Sequence, residues 1–298
     1  MASKNANLHK AKDAKNDEFY TQLTDVAKEL MHYKAHFKDK IVFCNCDDPT
    51  WSAFWKYFHL NFELLGLKKL ISTHYDKEKP TYKMEYTGGN DNDIEVGVKT
   101  PLKGNGDFRN KECLDLLDEC DIVVTNPPFS NQLPTQLIKL CIEKNKKFLL
   151  ISPLNTIKYK EFFPLIKEGK VWMGCGTVKE FLQPDGSIKK FGNIYWYTNL
   201  DHKKRHEKII LWKHYTPEEY PKYETYNAVE VSKVSQIPVD YDGIMGVPIT
   251  YLDKHNPDQF DIIGEFNHGC DNVYDLAKPI INGKELYPRI AIRKKVGV

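Results

Sequence analysis

DIVVTNPPFS, residues 121–130, runs from an apolar, β-branched stretch straight into an amide, two prolines and an aromatic ring. Residues 121–125 read as a buried strand. Proline fixes its own φ and drives the preceding residue out of the helical region, so Asn126 and Pro127 are both held extended. Neither Pro127 nor Pro128 carries an N–H. The strand therefore ends in a stiff turn that presents two acceptors, the Asn126 side-chain oxygen and the Pro127 carbonyl, beside the ring of Phe129. A primary amine on an aromatic base has two N–H donors, and two adjacent acceptors match it. The plainer alternative is a proline turn with a core phenylalanine.

Outward from this turn, strand and helix patterns alternate. Residues 41–44, 67–72, 147–151, 170–173 and 193–198 are short apolar runs of strand length. Residues 52–65, 113–117, 133–142 and 162–166 have helical spacing, and Gly66 is placed to stop the first of them. Residues 77–105 are polar and rich in Gly, Asn and Asp, the texture of a hairpin or long loop. Apolar strands alternating with helices predict an α/β fold with a mostly parallel sheet covered by helices on both faces. Ligands of such sheets sit beyond the carboxyl ends of the strands. Asn126 and the 45–49 turn both fall there. Beyond 200, prolines and tyrosines become frequent and helical patterns short. This predicts an arm over 1–16, a main domain over 17–205 and a smaller irregular module over 206–298.

The chemistry that suits the turn is transfer to a base nitrogen. The exocyclic nitrogen of adenine is a poor nucleophile because its lone pair is delocalised into the ring. Accepting hydrogen bonds from both of its protons favours a pyramidal nitrogen and stabilises the positive charge that develops as it attacks a sulfonium methyl group. Phe129 offers a face for stacking. A base in a duplex reaches such a pocket only by rotating out of the stack, at about a few kcal/mol, against which aromatic stacking returns about 1–3 kcal/mol.

A nucleotide-like donor such as S-adenosylmethionine is expected at the neighbouring turn, Asn45-Cys46-Asp47-Asp48-Pro49. That turn lacks the usual glycines. Asp47 or Asp48 is placed to take the donor's ammonium group, while Asp48 with Pro49 serves equally well as a helix start. Asp107 and Phe108, after Gly104-Asn105-Gly106, offer a carboxylate and a ring to the donor's adenine, or form only a glycine-rich loop. Phe19, Tyr20 and Thr21 read singly as packing beside a helix start.

Composition narrows the class. With 41% hydrophobic and 28% charged residues the chain is ordinary for a soluble globular protein, and it has no apolar run of membrane-spanning length. Its first residues have no apolar core of the kind that directs secretion. Seven cysteines in no paired spacing point to reduced thiols in a cytoplasmic protein and to no metal site. The net charge is only +2, but cations cluster. Lys4, Lys10, Lys12 and Lys15 form a basic arm, Lys203, Lys204 and Arg205 a second cluster, and Arg289, Arg293, Lys294 and Lys295 a basic tail. Local cations on a near-neutral chain suit a protein that grips a polyanion on one face, and solubilising surface is the ordinary alternative.

KNDEFYTQ, VFCNCDDP, KGNGDFR, DIVVTNPPFS and GVPITYLDKHNPDQF together resemble the EcoRI-type adenine-specific DNA methyltransferase family over nearly the whole chain. The resemblance implies a class I, Rossmann-like methyltransferase fold with a seven-stranded sheet and a C-terminal part that contributes to DNA recognition. It implies S-adenosylmethionine as donor and adenine N6 in double-stranded DNA as acceptor. It further implies that Phe19, Tyr20, Thr21 and the turn at Asn45, Cys46, Asp47, Asp48 and Pro49 border the donor, with Asp107 and Phe108 at its adenine. Asn126, Pro127, Pro128 and Phe129 would hold the target base. The resemblance also implies a monomer, with a cognate restriction endonuclease acting on the same site without a stable complex as the expected partner. Residues 77–100 and 174–192 depart from the family pattern, which leaves the recognised DNA sequence open.

Three other readings compete. Cytosine-N4 enzymes more often place Ser or Asp before the prolines. Protein-glutamine methyltransferases share Asn-Pro-Pro-aromatic but carry a glycine-rich donor loop. A non-catalytic DNA-binding protein on the same scaffold has no need of an intact Asn-Pro-Pro-Phe.

Overall fold

The computed structural model describes residues 20–76, 81–89, 92–183, 186–267, 272–295 and 297. The chain divides into two compact units, and each draws on separate stretches of sequence. One takes the described residues up to Pro153 together with Gly174–Leu200; the other takes Leu154–Met173 and Asp201–Val298.

The first unit is built on one sheet. Its strands are Tyr20–Thr21 (β1), Ile41–Cys44 (β2), Lys69–Thr73 (β3), Tyr82–Tyr86 (β4), Val98–Pro101 (β5), Ile122–Thr125 (β6), Lys147–Pro153 (β7), Trp172–Leu182 (β8) and Ile188–Thr198 (β9). Their order is β1-β8-β9-β7-β6-β2-β3-β4-β5. The central pairs β3–β2, β2–β6 and β6–β7 are parallel. The flanking pairs β3–β4, β4–β5, β7–β9 and β1–β8 are antiparallel. The sheet is thus mixed, with a parallel centre, and holds nine strands where seven are expected.

Among the described residues, five α-helices accompany this sheet: Leu23–Leu30 (α1), Ala53–Leu60 (α2), Phe62–Leu65 (α3), Lys111–Glu119 (α4) and Leu133–Glu143 (α5). Side chains alternate across a strand, and the burial follows. Val42, Cys44, Ile122, Val124, Leu149 and Ile151 join Val26 and Leu30 of α1 and Phe54 and Phe58 of α2 in one buried cluster. The intervening Phe43, Val123, Phe148 and Leu150 lie outside that cluster yet are also fully buried. On their side α4 approaches β2 and α5 approaches β7. Both faces of the central strands are therefore covered, which is why these strands are apolar throughout rather than alternating.

Helix boundaries have local causes. Ser52 caps α2 by accepting from the N–H groups of Phe54 and Trp55, so the start falls there and not at Asp48 and Pro49. The expected single helix over 52–65 breaks at Asn61 into α2 and α3. Gly66 then closes α3 in the left-handed conformation, φ 62°, as expected for this residue.

The second unit contains the short helix Phe163–Lys167 (α6) and the strands Val229–Glu230 (β10), Met245–Pro248 (β11), Phe260–Phe266 (β12), Ile280–Ile281 (β13), Lys284–Glu285 (β14) and Arg289–Lys294 (β15). Four of the strands form a sheet ordered β10-β11-β15-β12, and β13 pairs with β14. Helix α6 packs on β12. The expected basic tail over 289–295 is instead mostly strand β15. Its Ile290 and Ile292 are buried, and of the four expected cations Arg293 is exposed while the other three have internal partners. The Arg289 Nη2 lies 2.8 Å from the Glu230 carboxylate, the Lys294 Nζ 3.3 Å from Asp242, and the neighbouring Lys295 Nζ 3.5 Å from Asp261.

Leu149 lies in the middle of β7 with no exposed surface. Leu149→Ala is expected to lower the free energy of unfolding by about 2–5 kcal/mol. Urea denaturation monitored by tryptophan fluorescence measures this, and a loss well under that range would mean that the core collapses around the gap.

Candidate active site

The parallel pairing of β2 with β6, Val42 opposite Ile122 and Phe43 opposite Val123, puts the carboxyl ends of the two strands side by side. The 45–49 turn leaves one and the 126–129 turn leaves the other. Pro127 is buried, while Asn126, Pro128 and Phe129 are half-buried. The backbone beyond the motif is tight. Asn131 and Gln132 both have positive φ, 50° and 58°, before α5 begins. Non-glycine residues rarely take that conformation, and it costs of order 1–3 kcal/mol each.

The 45–49 turn manages without glycine because Cys46 itself adopts φ 63°, and its thiol donates to the Asn45 Oδ1 at 2.6 Å. Ser72 of β3 donates to the carbonyls of Cys44, at 3.1 Å, and Asp47. Thr125 donates to the Asn45 carbonyl.

The two neighbouring acids behave differently. Asp47 is buried. Its Oδ2 accepts from the Thr125 hydroxyl at 2.7 Å and from the Asn126 N–H at 3.4 Å, and its Oδ1 accepts from Ser52 at 3.1 Å. Asp48 is half-buried. It accepts from the Tyr82 hydroxyl at 2.8 Å and from the Thr50 N–H and hydroxyl, with the His74 Nε2 3.5 Å away. Burial pushes the Asp47 carboxyl up to about 7, helped by the charge of Asp48; the hydrogen bonds from Thr125, Ser52 and Asn126 oppose that rise without cancelling it.

The 104–108 loop reaches the same edge. Gly106 has φ 76° and lies so close to the His74 carbonyl, just past β3, that any side chain there would clash. The Asp76 N–H donates to Asn105 at 3.1 Å. Asp107 is gripped by Arg109, with Nε at 2.9 Å and Nη2 at 2.5 Å, and these hydrogen bonds hold its carboxyl below the ordinary value. Phe108 is buried, with the Arg109 guanidinium 5.6 Å from its ring.

Strand β1 brings Tyr20 and Thr21 to the motif. Thr21 pairs with Phe181 of β8, and the Phe181 ring meets the Phe129 ring edge-on at 6.1 Å. The buried Thr21 Oγ1 has no hydrogen-bond partner among the described residues. Tyr20, Thr21, the 45–49 turn, Asp107 with Phe108 and the 126–129 turn therefore all belong to the first unit. Ser52, Thr125, Arg109 and Phe181 complete the arrangement. Only Ser52 carried a local signal, as a serine before a helical pattern; the others stand out through partners distant in sequence.

Phe19, Lys4, Lys10, Lys12 and Lys15 lie outside the described residues. Lys203, Lys204 and Arg205 belong to the second unit. Lys203 is exposed. The Lys204 Nζ pairs with Asp253 at 2.6 Å, while Arg205 pairs with Asp201 at 3.4 Å and lies 3.8 Å over the Trp172 ring. Among the described residues no group of three or more His, Cys, Asp or Glu side chains is placed to hold a metal ion, and no helix is long and apolar enough to cross a membrane.

The raised Asp47 carboxyl has a defined consequence for stability. Between about pH 4 and about 7 the folded protein keeps a proton that the unfolded chain has released. Its contribution is therefore present below that window and lost as pH rises through it. Unfolding free energies of the wild type are expected to fall across this window more steeply than those of Asp47→Asn. Parallel pH profiles would show that the folded state does not suppress ionisation of Asp47.

A family profile described as adenine-specific methyltransferase EcoRI matches residues 7–295. The type II methyltransferase M.EcoRI of Escherichia coli is 44% identical to this chain over 320 residues, covering 97% of the chain and 96% of that protein. The type II methyltransferase M.MpnI of Mycoplasma pneumoniae is 37% identical over 324 residues, covering 98% and 99%. M.MgeORF184P of Mycoplasma genitalium is 33% identical over 323 residues, covering 97% and 98%. No solved structure matches the chain. With the motif turn and the donor-side turn on one sheet edge, and a family match over nearly the full length, this chain belongs to the adenine-specific methyltransferase EcoRI family.

Proposed function

We propose that the protein transfers a methyl group from S-adenosylmethionine to N6 of an adenine rotated out of double-stranded DNA. The observation that carries this is the adjacency of the 126–129 turn and the 45–49 turn at the carboxyl ends of two paired parallel strands. The parallel centre β7-β6-β2-β3 with an antiparallel β7–β9 pair supports a class I, Rossmann-like reading, from which the antiparallel β3–β4 pair departs.

The residues at the sheet edge suit the donor. Thr21 keeps a buried hydroxyl without a described partner, Asp48 presents a half-buried carboxylate, and Cys46 gives its turn the backbone form that glycine usually supplies. Thr21, Tyr20, Asn45, Cys46, Asp48 and Pro49 would hold it, with Asp107 and Phe108 toward its adenine; Phe19, outside the described residues, belongs to the same expected set. Bound there, it supplies an electrophilic methyl group on sulfur.

The rest of the chemistry belongs to the chain. The Asn126 Oδ1 and the Pro127 carbonyl accept the two amino protons of the target adenine and favour a lone pair localised on nitrogen. Phe129 stacks on the base, and its own position is set by Phe181. No strong general base is required, because the methylated ammonium is acidic enough to lose its proton to water. The second unit contributes to reading the duplex, with Lys203 the cation of its cluster most open to phosphate. The enzyme acts in the cytoplasm as a monomer, and a cognate restriction endonuclease would act on the same site without a stable complex.

Incubation of the protein with S-adenosylmethionine and plasmid DNA, followed by long-read mapping of modified bases, is expected to show N6-methyladenine at one recurrent sequence. Modification at cytosine N4, or of protein alone, would overturn this. Asn126→Ala is expected to lower kcat by about 10²–10³ while duplex binding persists. Phe129→Ala is expected to weaken base extrusion by about 1–3 kcal/mol, read from 2-aminopurine fluorescence at the target position.

A further inference from the structure

Two carboxylates stand next to each other in the 45–49 turn, and the structure gives them different jobs. Asp48 faces Tyr82, Thr50 and His74 and stays half-open. Asp47 is 8% exposed, and its oxygens are engaged by three donors: the Thr125 hydroxyl, the Asn126 N–H and the Ser52 hydroxyl. Through its carbonyl it also accepts from Ser72. It therefore touches the end of β6, the cap of α2 and the end of β3 from its own place just past β2.

We propose that Asp47 is a positioning residue, whose carboxylate holds the backbone of Asn126 in register with the donor-side turn and does not bind the donor itself. This rests on the reading that residues 126–129 hold the adenine.

The reasons are geometric. A carboxylate offers about four lone-pair sites, and three donors already occupy this one. A donor's ammonium would have to enter behind Thr125 and Ser52, where the side chain is closed from solvent. Asn126, in contrast, needs an external restraint. Its two following residues are prolines, so they supply no N–H with which to anchor the turn. The Asn126 N–H to Asp47 is the backbone bond that fixes where the amide side chain starts. Thr125 is fully buried and divides its one proton between the Asp47 carboxylate and the Asn45 carbonyl, so both turns are tied at the same atom. A shift of about 1 Å in an acceptor pair is enough to cost a large factor in rate.

The test uses the full chain in four forms: wild type, Asp47→Asn, Thr125→Val and Thr125→Ser. Donor affinity is measured by titrating S-adenosylmethionine against each, and kcat is measured with donor and duplex both saturating. The amide of Asp47→Asn has one acceptor oxygen and turns an NH2 toward a donor, so it cannot keep all three bonds. It is expected to lose about tenfold or more in kcat with donor affinity changed by less than about threefold. Thr125→Val is expected to follow it, and Thr125→Ser, which restores the hydroxyl, to recover most of the rate.

The pH profile gives a second readout. The titratable groups facing Asp47 are Asp48 on the same turn and the thiols of Cys44 and Cys46, which burial keeps protonated, with no cation among the influences on its carboxyl. The wild-type kcat is expected to rise with pH through about 7, and that rise is expected to vanish in Asp47→Asn. A tenfold loss of donor affinity with kcat unchanged at saturation would make Asp47 a donor ligand and overturn the proposal. So would unchanged kinetics in both Asp47→Asn and Thr125→Val. If Asp47→Asn does not fold, the Val and Ser variants at 125 decide: equal kcat in the two overturns it. Failure of the wild type to methylate adenine is a separate result, and sinks the reading of the 126–129 turn instead.

Discussion

The register between β2 and β6 is the constraint on which the rest of this site depends. The two strands are 80 residues apart in sequence, as the Ile41 N–H donating to Asp121 shows. Only their parallel pairing makes the 45–49 and 126–129 turns neighbours. A slip by one residue would exchange the buried faces of β6, moving Ile122 and Val124 out of the cluster that holds Val42, Cys44, Leu149 and Ile151. The hydrophobic core therefore sets the alignment of the chemistry.

Within that frame the local chemistry is built from rigid backbone rather than from strongly ionised side chains. Two prolines remove donors, Cys46 and the Asn131-Gln132 pair take left-handed conformations, and Gly106 lets one loop lie against the carbonyl of another. Each of these is unfavourable or restrictive alone and is tolerated because the surrounding packing determines it. The charged residues mostly neutralise one another at short range. Asp107 is held by Arg109, Lys204 by Asp253 and Arg289 by Glu230.

Much of the first unit was legible because its strands are short, apolar and flanked by turn residues. β2, β6 and β7 and helix α5 stand where the pattern puts them. The long strands β8 and β9 were seen only at one end. Their other halves carry Gly174, Gly176, Lys179, Glu180, Lys189, Lys190 and Gly192, which interrupt any apolar run, and their pairing is decided by neighbours far away in sequence. β15 was hidden by its own cations, since a count of charge over 289–295 conceals the alternation of Arg289, Ile290, Ala291, Ile292 and Arg293. The carboxylates 47 and 48 look alike in sequence. What separates them is Thr125, 78 residues from Asp47, and no local pattern carries a contact of that span.

The interleaving of the two units also bears on how the chain is made. Synthesis completes β7 at Pro153 and then passes into residues of the other unit before β9 ends at Thr198. Strand β7 pairs with β6 on one side and β9 on the other, so one whole row of its peptide groups waits for a partner that emerges about 45 residues later. At about 5–20 residues per second that interval lasts on the order of several seconds. During it the nascent sheet carries an open edge of unpaired N–H and C=O groups on a mostly apolar strand, the kind of surface on which ribosome-bound chains stick to one another.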